Sequence, residues 1–262
     1  MINGIVANSD YDTNNLSGFS KIASRPFTGG STYTFVMSYF VNSANYTGYS
    51  FKGIITPGFV NLVKFGDATT NSSNIGGTGP LCKVGLGTLV LSGTNNYTGS
   101  TEIAEGALSI SSLNNIGSVK TVTFIGASTL VTTANLTLTS VVKTAAATFN
   151  VPTSSALTLT ALTGAANMAV TGTDGTSIVS VASALPTGAG NYTVSSGVLR
   201  IADIAATAGA TGTVEIQNGG ILDCATNTVL AADRFPSGTL TLRGGGALKL
   251  GIGTFLKNIV LG

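Results

Sequence analysis

The sequence has no histidine or tryptophan and few charged side chains, and these shortages exclude several classes of function. Lys and Arg together number 12 and Asp and Glu 10, so that charged residues occupy 8% of the 262 positions, against about a quarter in an ordinary soluble domain. Without His there can be no Ser-His-Asp triad and no His-ligated metal. The cations are scattered singly, which argues against nucleic acid as a partner, because a phosphate backbone is bound by clustered Lys and Arg.

Long apolar runs are missing as well. A membrane-spanning helix needs about 20 consecutive apolar residues, and the best uncharged stretch, residues 121–142, is interrupted at every second or third position by Thr, Ser or Asn. The N-terminus has no basic segment followed by an apolar core, so neither a signal peptide nor a membrane span is predicted. The export route of the chain is therefore left open.

Cysteine is scarce too, since the chain holds only Cys82 and Cys224. They lie far apart in the sequence, and Cys224 occupies an apolar strand position. We expect two small buried hydrophobic side chains and not a disulfide-stapled scaffold.

What the sequence does contain is a long series of short strand patterns. Apolar or Thr-alternating runs closed by Gly, Asn, Ser or Pro recur along the whole chain, whereas the residues typical of exposed helix faces are rare. The chain is therefore predicted to be all-β. The clearest strand candidates are residues 32–41, 87–91, 107–110, 136–138, 156–159, 198–201, 213–216, 220–223, 239–242 and 247–250.

These strands repeat loosely. A Gly followed by an apolar-polar-apolar strand recurs from Gly106 onward, and the copies at Gly197, Gly220 and Gly246 follow one another at similar intervals. An interval of roughly 20 to 26 residues is typical of one coil of a parallel β-solenoid, in which inward side chains of successive coils stack into a continuous core. The prediction is a right-handed parallel β-helix of roughly 8 to 12 coils, about 40 to 55 Å long.

Residues 79–110 carry an ordered motif, GPLCKVGLGTLVLSGTNNYTGSTEIAEGALSI. The motif resembles the autotransporter-associated β-strand repeat, also called the passenger-associated transport repeat. The resemblance implies a secreted or surface-displayed β-helix that acts as a stalk, an adhesin scaffold or an assembly element. The matching positions are Lys83, Gly85, Gly87, Thr88, Leu89, Leu91, Ser92, Gly93, Asn95, Tyr97, Thr98, Gly99, Thr101, Ile103, Gly106, Leu108 and Ile110.

The N-terminal quarter differs from the rest because it is rich in Phe and Tyr. Since terminal units of solenoids are atypical and shield the open core, we interpret residues 1–75 as an N-terminal β cap or small β-sandwich, and residues 76–262 as the β-helix. In an alternative interpretation, aromatic side chains such as Tyr33 and Tyr46 bind a neighbouring subunit or a cell-surface glycan. A glycan array repeated with variants of these two tyrosines would separate the interpretations.

A long neutral stretch follows the motif. Between Lys120 and Arg200 the only charged residues are Lys143 and Asp174. Neutral β surfaces pair readily with one another, so we expect a homo-oligomer formed through Thr/Ser/Ala-rich faces, with a hydroxyl-covered surface that merely tolerates water as the alternative. The alternating Thr residues near Leu136 and Leu157 also suggest ice binding as a function. This alternative ranks last because a fixed Thr-x-Thr spacing is absent.

Candidate acid-base residues are few and dispersed. Glycoside hydrolysis needs two carboxylates facing one cleft at about 5 to 10 Å. Glu102 and Glu105 sit three residues apart across a strand end, where opposite faces are expected. Solenoid enzymes that cleave pectin align acids from separate coils with nearby cations, so such a groove remains a minor alternative here. Its candidate residues are Asp174, Asp203, Asp223, Asp233, Arg200, Arg234 and Arg243.

Metal and cofactor motifs are weak. The run from Asn8 through Asp10 and Asp12 to Asn14 alternates oxygen ligands, but it lacks the Gly and the closing Glu of an EF-hand loop, and it fits an ordinary turn. Calcium there stays an open alternative, and no catalytic, cofactor or metal site is predicted. Six Asn-x-Ser/Thr triplets matter only if the source glycosylates its proteins. They begin at Asn15, Asn45, Asn71, Asn96, Asn135 and Asn191.

The sequence therefore predicts a non-enzymatic structural protein of the cell exterior or cell surface, a β-solenoid subunit that self-assembles into a fibre, filament or coat. The first alternative is an adhesin or carbohydrate-binding module that uses the aromatic N-terminal region. The second is a β-helix enzyme acting on polysaccharides.

Overall fold

A computed structural model describes residues 61–64, 69–72, 74–183, 185–201, 211–217, 219–224, 238–250 and 259–262. All of them lie in the structural unit Ser50–Gly262. They form 22 β-strands and one 3₁₀ turn, Leu113–Asn115, with no α-helix in these ranges. The predicted strand at 32–41, the calcium alternative at Asp10 and Asp12, and Tyr33 and Tyr46 fall outside them.

The strands, numbered in chain order, belong to three parallel sheets. The first sheet contains β1 (Asn61–Lys64), β3 (Leu81–Val84), β5 (Thr101–Ile103), β7 (Thr121–Phe124), β10 (Ser140–Lys143) and β13 (Leu162–Thr163). The central sheet contains β2 (Thr69–Asn71), β4 (Thr88–Leu91), β6 (Ala107–Ile110), β8 (Ser128–Thr132), β11 (Ala147–Val151), β14 (Met168–Gly172), β16 (Tyr192–Val194), β18 (Val214–Ile216), β20 (Leu240–Leu242) and β22 (Ile259–Leu261). The third sheet contains β9 (Leu136–Leu138), β12 (Ala156–Leu159), β15 (Ile178–Val181), β17 (Val198–Ile201), β19 (Ile221–Cys224) and β21 (Ala247–Leu250).

Each strand pairs with the equivalent strand of the next coil, which makes the protein a β-solenoid. In the central sheet the chain length between partners varies from short, as between Thr88 and Ala107, to long, as between Val214 and Leu240. The predicted all-β parallel solenoid is confirmed, and the ten strands of the central sheet fall within the expected number of coils. Its right-handed sense stays a prediction, in line with the general handedness of parallel crossovers.

The core is a stack of aliphatic and aromatic side chains that point inward from the strands. One column follows the register of the central sheet, and its members are fully or almost fully buried from Leu89 to Ile216. Neighbours in this column lie one strand spacing apart, about 4.8 Å, so each side chain covers the next. The column consists of Leu89, Leu108, Leu130, Phe149, Val170, Val194, Ile216, Leu242 and Leu261.

Glycine occupies a corner where two coils nearly touch. Gly106 has φ +63°, and a Cβ placed on it would lie 2.5 Å from the carbonyl oxygens of Gly85 and Gly87. Only a residue without a side chain permits this approach and this backbone conformation at low cost. The glycines of the motif therefore set how closely the coils stack.

The predicted boundary at residue 75 is not tested by the structure. Strands β1 and β2 lie before it and pair with β3 and β4, the strands of the next coil. In the part of the chain that the structure describes, no helix has the length and apolar character needed to cross a membrane.

One core position breaks the apolar pattern. Thr132 at the end of β8 is fully buried, stands in register with Ile110, and its Oγ1 has no hydrogen-bond partner. A buried hydroxyl without a partner carries an uncompensated desolvation cost of about 1 to 3 kcal/mol.

We therefore expect Thr132→Val, which removes the hydroxyl at nearly constant shape, to stabilise the protein by about 1 to 2 kcal/mol and to raise its thermal midpoint by about 2 to 8 °C. Thermal unfolding followed by circular dichroism measures the change. The matched control is Thr137→Val at an exposed strand position, where we expect a change below about 0.5 kcal/mol. Destabilisation by Thr132→Val would show that the hydroxyl forms a bond that the structure lacks.

Candidate functional site

The two glutamates of the motif have separate partners. Glu102, in β5, accepts a hydrogen bond from Ser100 Oγ at 3.2 Å. Glu105, in the turn that follows, accepts one from the backbone N–H of Gly85 at 2.8 Å through Oε2. Each carboxylate is therefore engaged in a local or coil-to-coil contact, and no acid pair for glycoside cleavage is formed by these contacts.

The other candidate acids that the structure describes, Asp174 and Asp223, have separate partners as well. Asp174 sits in an exposed turn where Oδ1 accepts hydrogen bonds from Thr176 N at 2.8 Å and Thr176 Oγ1 at 2.6 Å, and these bonds lower the pKa of its carboxyl group. Within the described ranges, no group of three or more Cys, Asp and Glu residues is placed to hold a metal. Asp203, Asp233 and Arg234 lie outside the described residues.

Asp223 and Glu215 form ion pairs with arginines. Arg200 donates from Nε and Nη2 to Asp223 Oδ2 at 3.0 and 2.9 Å, and the two residues face each other in the register of β17 and β19. Arg243 Nε lies 3.0 Å from Glu215 Oε1. Two of the three arginines that the sequence offered as ligands for an acidic substrate, Arg200 and Arg243, thus pair with the protein's own acids.

Both cysteines are buried and neither forms a disulfide. Burial raises the pKa of the Cys82 thiol to about 11 and that of the Cys224 thiol to about 12. Neither group is a thiolate near neutral pH, so neither has the character of a reactive nucleophile.

The polar residues of the motif instead form hydrogen-bonded contacts between coils. Lys83 forms the first of these contacts. Its side chain is fully buried, and Nζ donates to the carbonyl oxygens of Val84, Gly85 and Glu105 at 3.1, 2.6 and 3.0 Å. Burial lowers the pKa of Lys83, and the nearby Glu105 opposes that shift. An ammonium group has three N–H donors; two of them bind carbonyls of the lysine's own coil, at Val84 and Gly85, and the third binds the turn after β5 in the next coil, at Glu105.

Asparagine side chains form the second hydrogen-bonded contact between coils. Asn95 Oδ1 accepts a hydrogen bond from the backbone N–H of Ile75 at 2.8 Å, and Asn95 Nδ2 donates to the carbonyl oxygen of Asn115. One coil later, Asn115 Oδ1 accepts from Ser112 N at 2.8 Å and Nδ2 donates to Gly93 O at 3.2 Å. The two buried amides add to the backbone hydrogen bonds that join the coils on this side, such as that from Asn96 N to Ile75 O at 2.9 Å.

Tyr97 forms the third contact between coils. Its ring is fully buried, and its hydroxyl shares a hydrogen bond with Thr101 Oγ1. Burial raises the pKa of the Tyr97 phenol, with the Thr101 bond opposing it. A Cβ on Gly117, in the next coil, would come within 2.4 Å of this ring, so the ring fills the space that Gly117 leaves open.

We expect Asn95→Leu to destabilise the protein by about 3 kcal/mol, because the Ile75 N–H and the Asn115 carbonyl lose their partner and each stranded buried group costs about 1 to 3 kcal/mol. Urea unfolding monitored by circular dichroism gives the value. Asn96→Ala, at the exposed neighbouring position, is the control, with an expected change within about 0.5 kcal/mol. Equal stability of Asn95→Leu and the parent would show that the Asn95 hydrogen bonds do not stabilise the stacking of the coils.

A second buried lysine was not identified from the sequence. Lys143, at the end of β10, is 1% exposed, and the parallel register stacks it on Phe124, which stacks on Ile103 and then on Lys83. Its Nζ donates to Ala166 O at 2.7 Å and lies 5.1 Å from the centre of the Tyr192 ring. In the sequence the residue is an isolated Lys, and only its place in the register reveals it as an inward position equivalent to Lys83.

Burial lowers the pKa of Lys143 to about 8, well below its value in an unfolded chain. The contribution of Lys143 to stability must then rise as the pH increases from 8 to about 10.5, because over that range its amine binds a proton more often in the unfolded state than in the folded state. The neighbouring Tyr192 stays neutral in this range, since burial raises its pKa to about 12.

We therefore expect Lys143→Met to stabilise the protein at pH 7 by up to about 3 kcal/mol and this advantage to shrink between pH 8 and 10.5. Urea unfolding at several pH values measures the difference. Lys249→Met, at an exposed position, serves as the control. A difference between Lys143→Met and the parent that does not change with pH would mean that Lys143 titrates normally.

The outward face of the central sheet carries a long series of uncharged positions. From β4 to β16 its outward positions are uncharged and mostly half-buried by their neighbours. The first charged outward residue is Glu215 in β18, which pairs with Arg243. The neutral positions are Thr88, Val90, Ala107, Ser109, Thr129, Val131, Thr148, Asn150, Ala169, Thr171 and Thr193.

Comparison with protein families returns one match. The family model of the passenger-associated-transport-repeat matches residues 81–110, the segment from β3 to β6 that holds Lys83, Asn95 and Tyr97. The resemblance inferred from the sequence is confirmed for this segment. No curated protein and no solved structure matches the chain.

Proposed function

We propose that this chain is a non-enzymatic structural segment of the cell exterior, a β-solenoid rod like the passengers of autotransporters, and that copies of it associate through their neutral faces. The passenger-associated-transport-repeat match supports the passenger-like role. The observation that carries the proposal is that the polar residues of the motif form hydrogen bonds that join the coils. Among the residues described, they do not converge on a reactive group.

The neutral outward face supports association. A free rod in water normally carries interspersed charges of both signs, whereas the central sheet has none on its outward positions from Thr88 to Thr193. When two such faces meet, no charge has to be desolvated, and the flat strands allow extended contact. A rigid rod with such a flank suits a fibre, a stalk or a coat.

We expect the purified protein to show concentration-dependent association in sedimentation velocity, and electron micrographs at the highest concentrations to show aligned rods or filaments. The control is Thr129→Lys/Thr148→Lys, which places two charges on the neutral face and is expected to suppress association because the charges would have to be buried. A parent protein that remains monomeric at every concentration contradicts the assembly part of the proposal.

A further inference from the structure

An exposed leucine side chain and a shallow groove lie next to each other on one corner of the solenoid. This corner joins the first sheet to the central sheet and consists of residues 85–87, 104–106, 125–127 and 144–146. Leu86 at its upper end is 86% exposed, the highest value among the large hydrophobic side chains in the described ranges. An exposed Leu alone is common in a soluble protein, but this one stands next to a matching depression.

The depression is an open groove of about 480 Å³ that runs along the rod from the side chain of Leu86. Small side chains of three successive coils form its floor, which leaves room for a larger side chain. The lining includes Leu86, Ala107, Ala127, Thr129, Ala146 and Thr148.

The residues that line the groove are all uncharged. Glu105 is the one charged residue in the turns of this corner, and its carboxylate is turned toward the N–H of Gly85. The ammonium groups of Lys83 and Lys143 lie beneath the corner and donate to backbone carbonyls. The exposed Glu105 carboxylate beside the groove would repel an acidic partner, whereas an uncharged, apolar side chain can enter the uncharged lining without desolvating a charge.

We propose that the groove receives Leu86 of a second copy of this chain, in an antiparallel pair related by a two-fold axis. Thr88, which follows Leu86, is three strand steps from Thr148, a distance of about 14 Å along the rod. A two-fold axis between the levels of Ala107 and Thr129 exchanges the two ends. It therefore places each Leu86 beside Ala146 and Thr148 of the other copy, and the contact closes on itself.

The contact is small, and its size sets its strength. A stable interface buries about 800 Å² on each partner, and one leucine in a four-coil groove covers less. The pair therefore forms weakly and at high concentration, as is suitable for copies crowded on a surface. This inference rests on the proposed self-association and names the surface that begins it.

The test combines sedimentation equilibrium with directed disulfide formation. We expect Leu86→Glu to raise the dimer dissociation constant at least tenfold, because each copy would bury a carboxylate in an uncharged groove. Val119→Glu, at a different exposed hydrophobic position, is the matched control and is expected to leave the dissociation constant unchanged. Thermal unfolding of both variants shows that the fold is kept.

For the disulfide measurement, Leu86→Cys and Ala146→Cys proteins are oxidised separately and as a mixture. The antiparallel pair predicts a cross-linked dimer that joins the two variants, reversible by reductant, and none from Leu86→Cys alone. Cross-linking of Leu86→Cys with itself would overturn the antiparallel arrangement. Association of Leu86→Glu equal to that of the parent would overturn the groove while leaving self-association intact, and a parent that never associates overturns both proposals.

Discussion

The structure depends on one constraint, that the strands of each coil must pair in parallel register with those of the coil before. Once the pairing is fixed, every side chain stands directly above its counterpart one strand spacing away. Inward positions then form columns such as that from Leu89 to Ile216, and a residue that differs from its neighbours in size or polarity affects both adjacent coils. The length of the coils varies along the chain, and the described register continues through this variation.

The same constraint explains why polar groups are found inside. A turn interrupts the backbone ladder, and its carbonyl and N–H groups still need partners when buried. Lys83 supplies three donors at one such point, and Asn95 supplies an acceptor and a donor at another. The polar residues of the repeat motif are therefore structural in the same sense as its leucines, since they satisfy backbone groups that stacking would otherwise leave unpaired.

Much of this architecture could be predicted from the sequence because alternation and glycine corners are local signals. The strands Ala107–Ile110, Ala156–Leu159 and Val198–Ile201 were predicted with the bounds that the structure has. The role of Lys143 could not be predicted, because it depends on which residue of the preceding coil lies beneath it. The start of the third sheet could not be predicted for a similar reason: the sheet begins at β9, at Leu136–Leu138, and the preceding coil has the 3₁₀ turn Leu113–Asn115 near that strand.

The candidate catalytic residues show even more plainly that residue types alone do not predict a site. Asp223 and Arg200 look like parts of an acidic-substrate site when only their types are considered, but stacking places one on the other and satisfies both. Charge along the described rod is thus arranged by coil. Towards the C-terminus, oppositely charged residues pair between neighbouring coils, and the central sheet before them is neutral. Ion pairs that are complete within one molecule give a neighbouring copy little to attract it, whereas a neutral flat face lets it approach without desolvating charge. The distribution of charge therefore supports the proposal that copies associate through the neutral coils and not through the ion-paired coils.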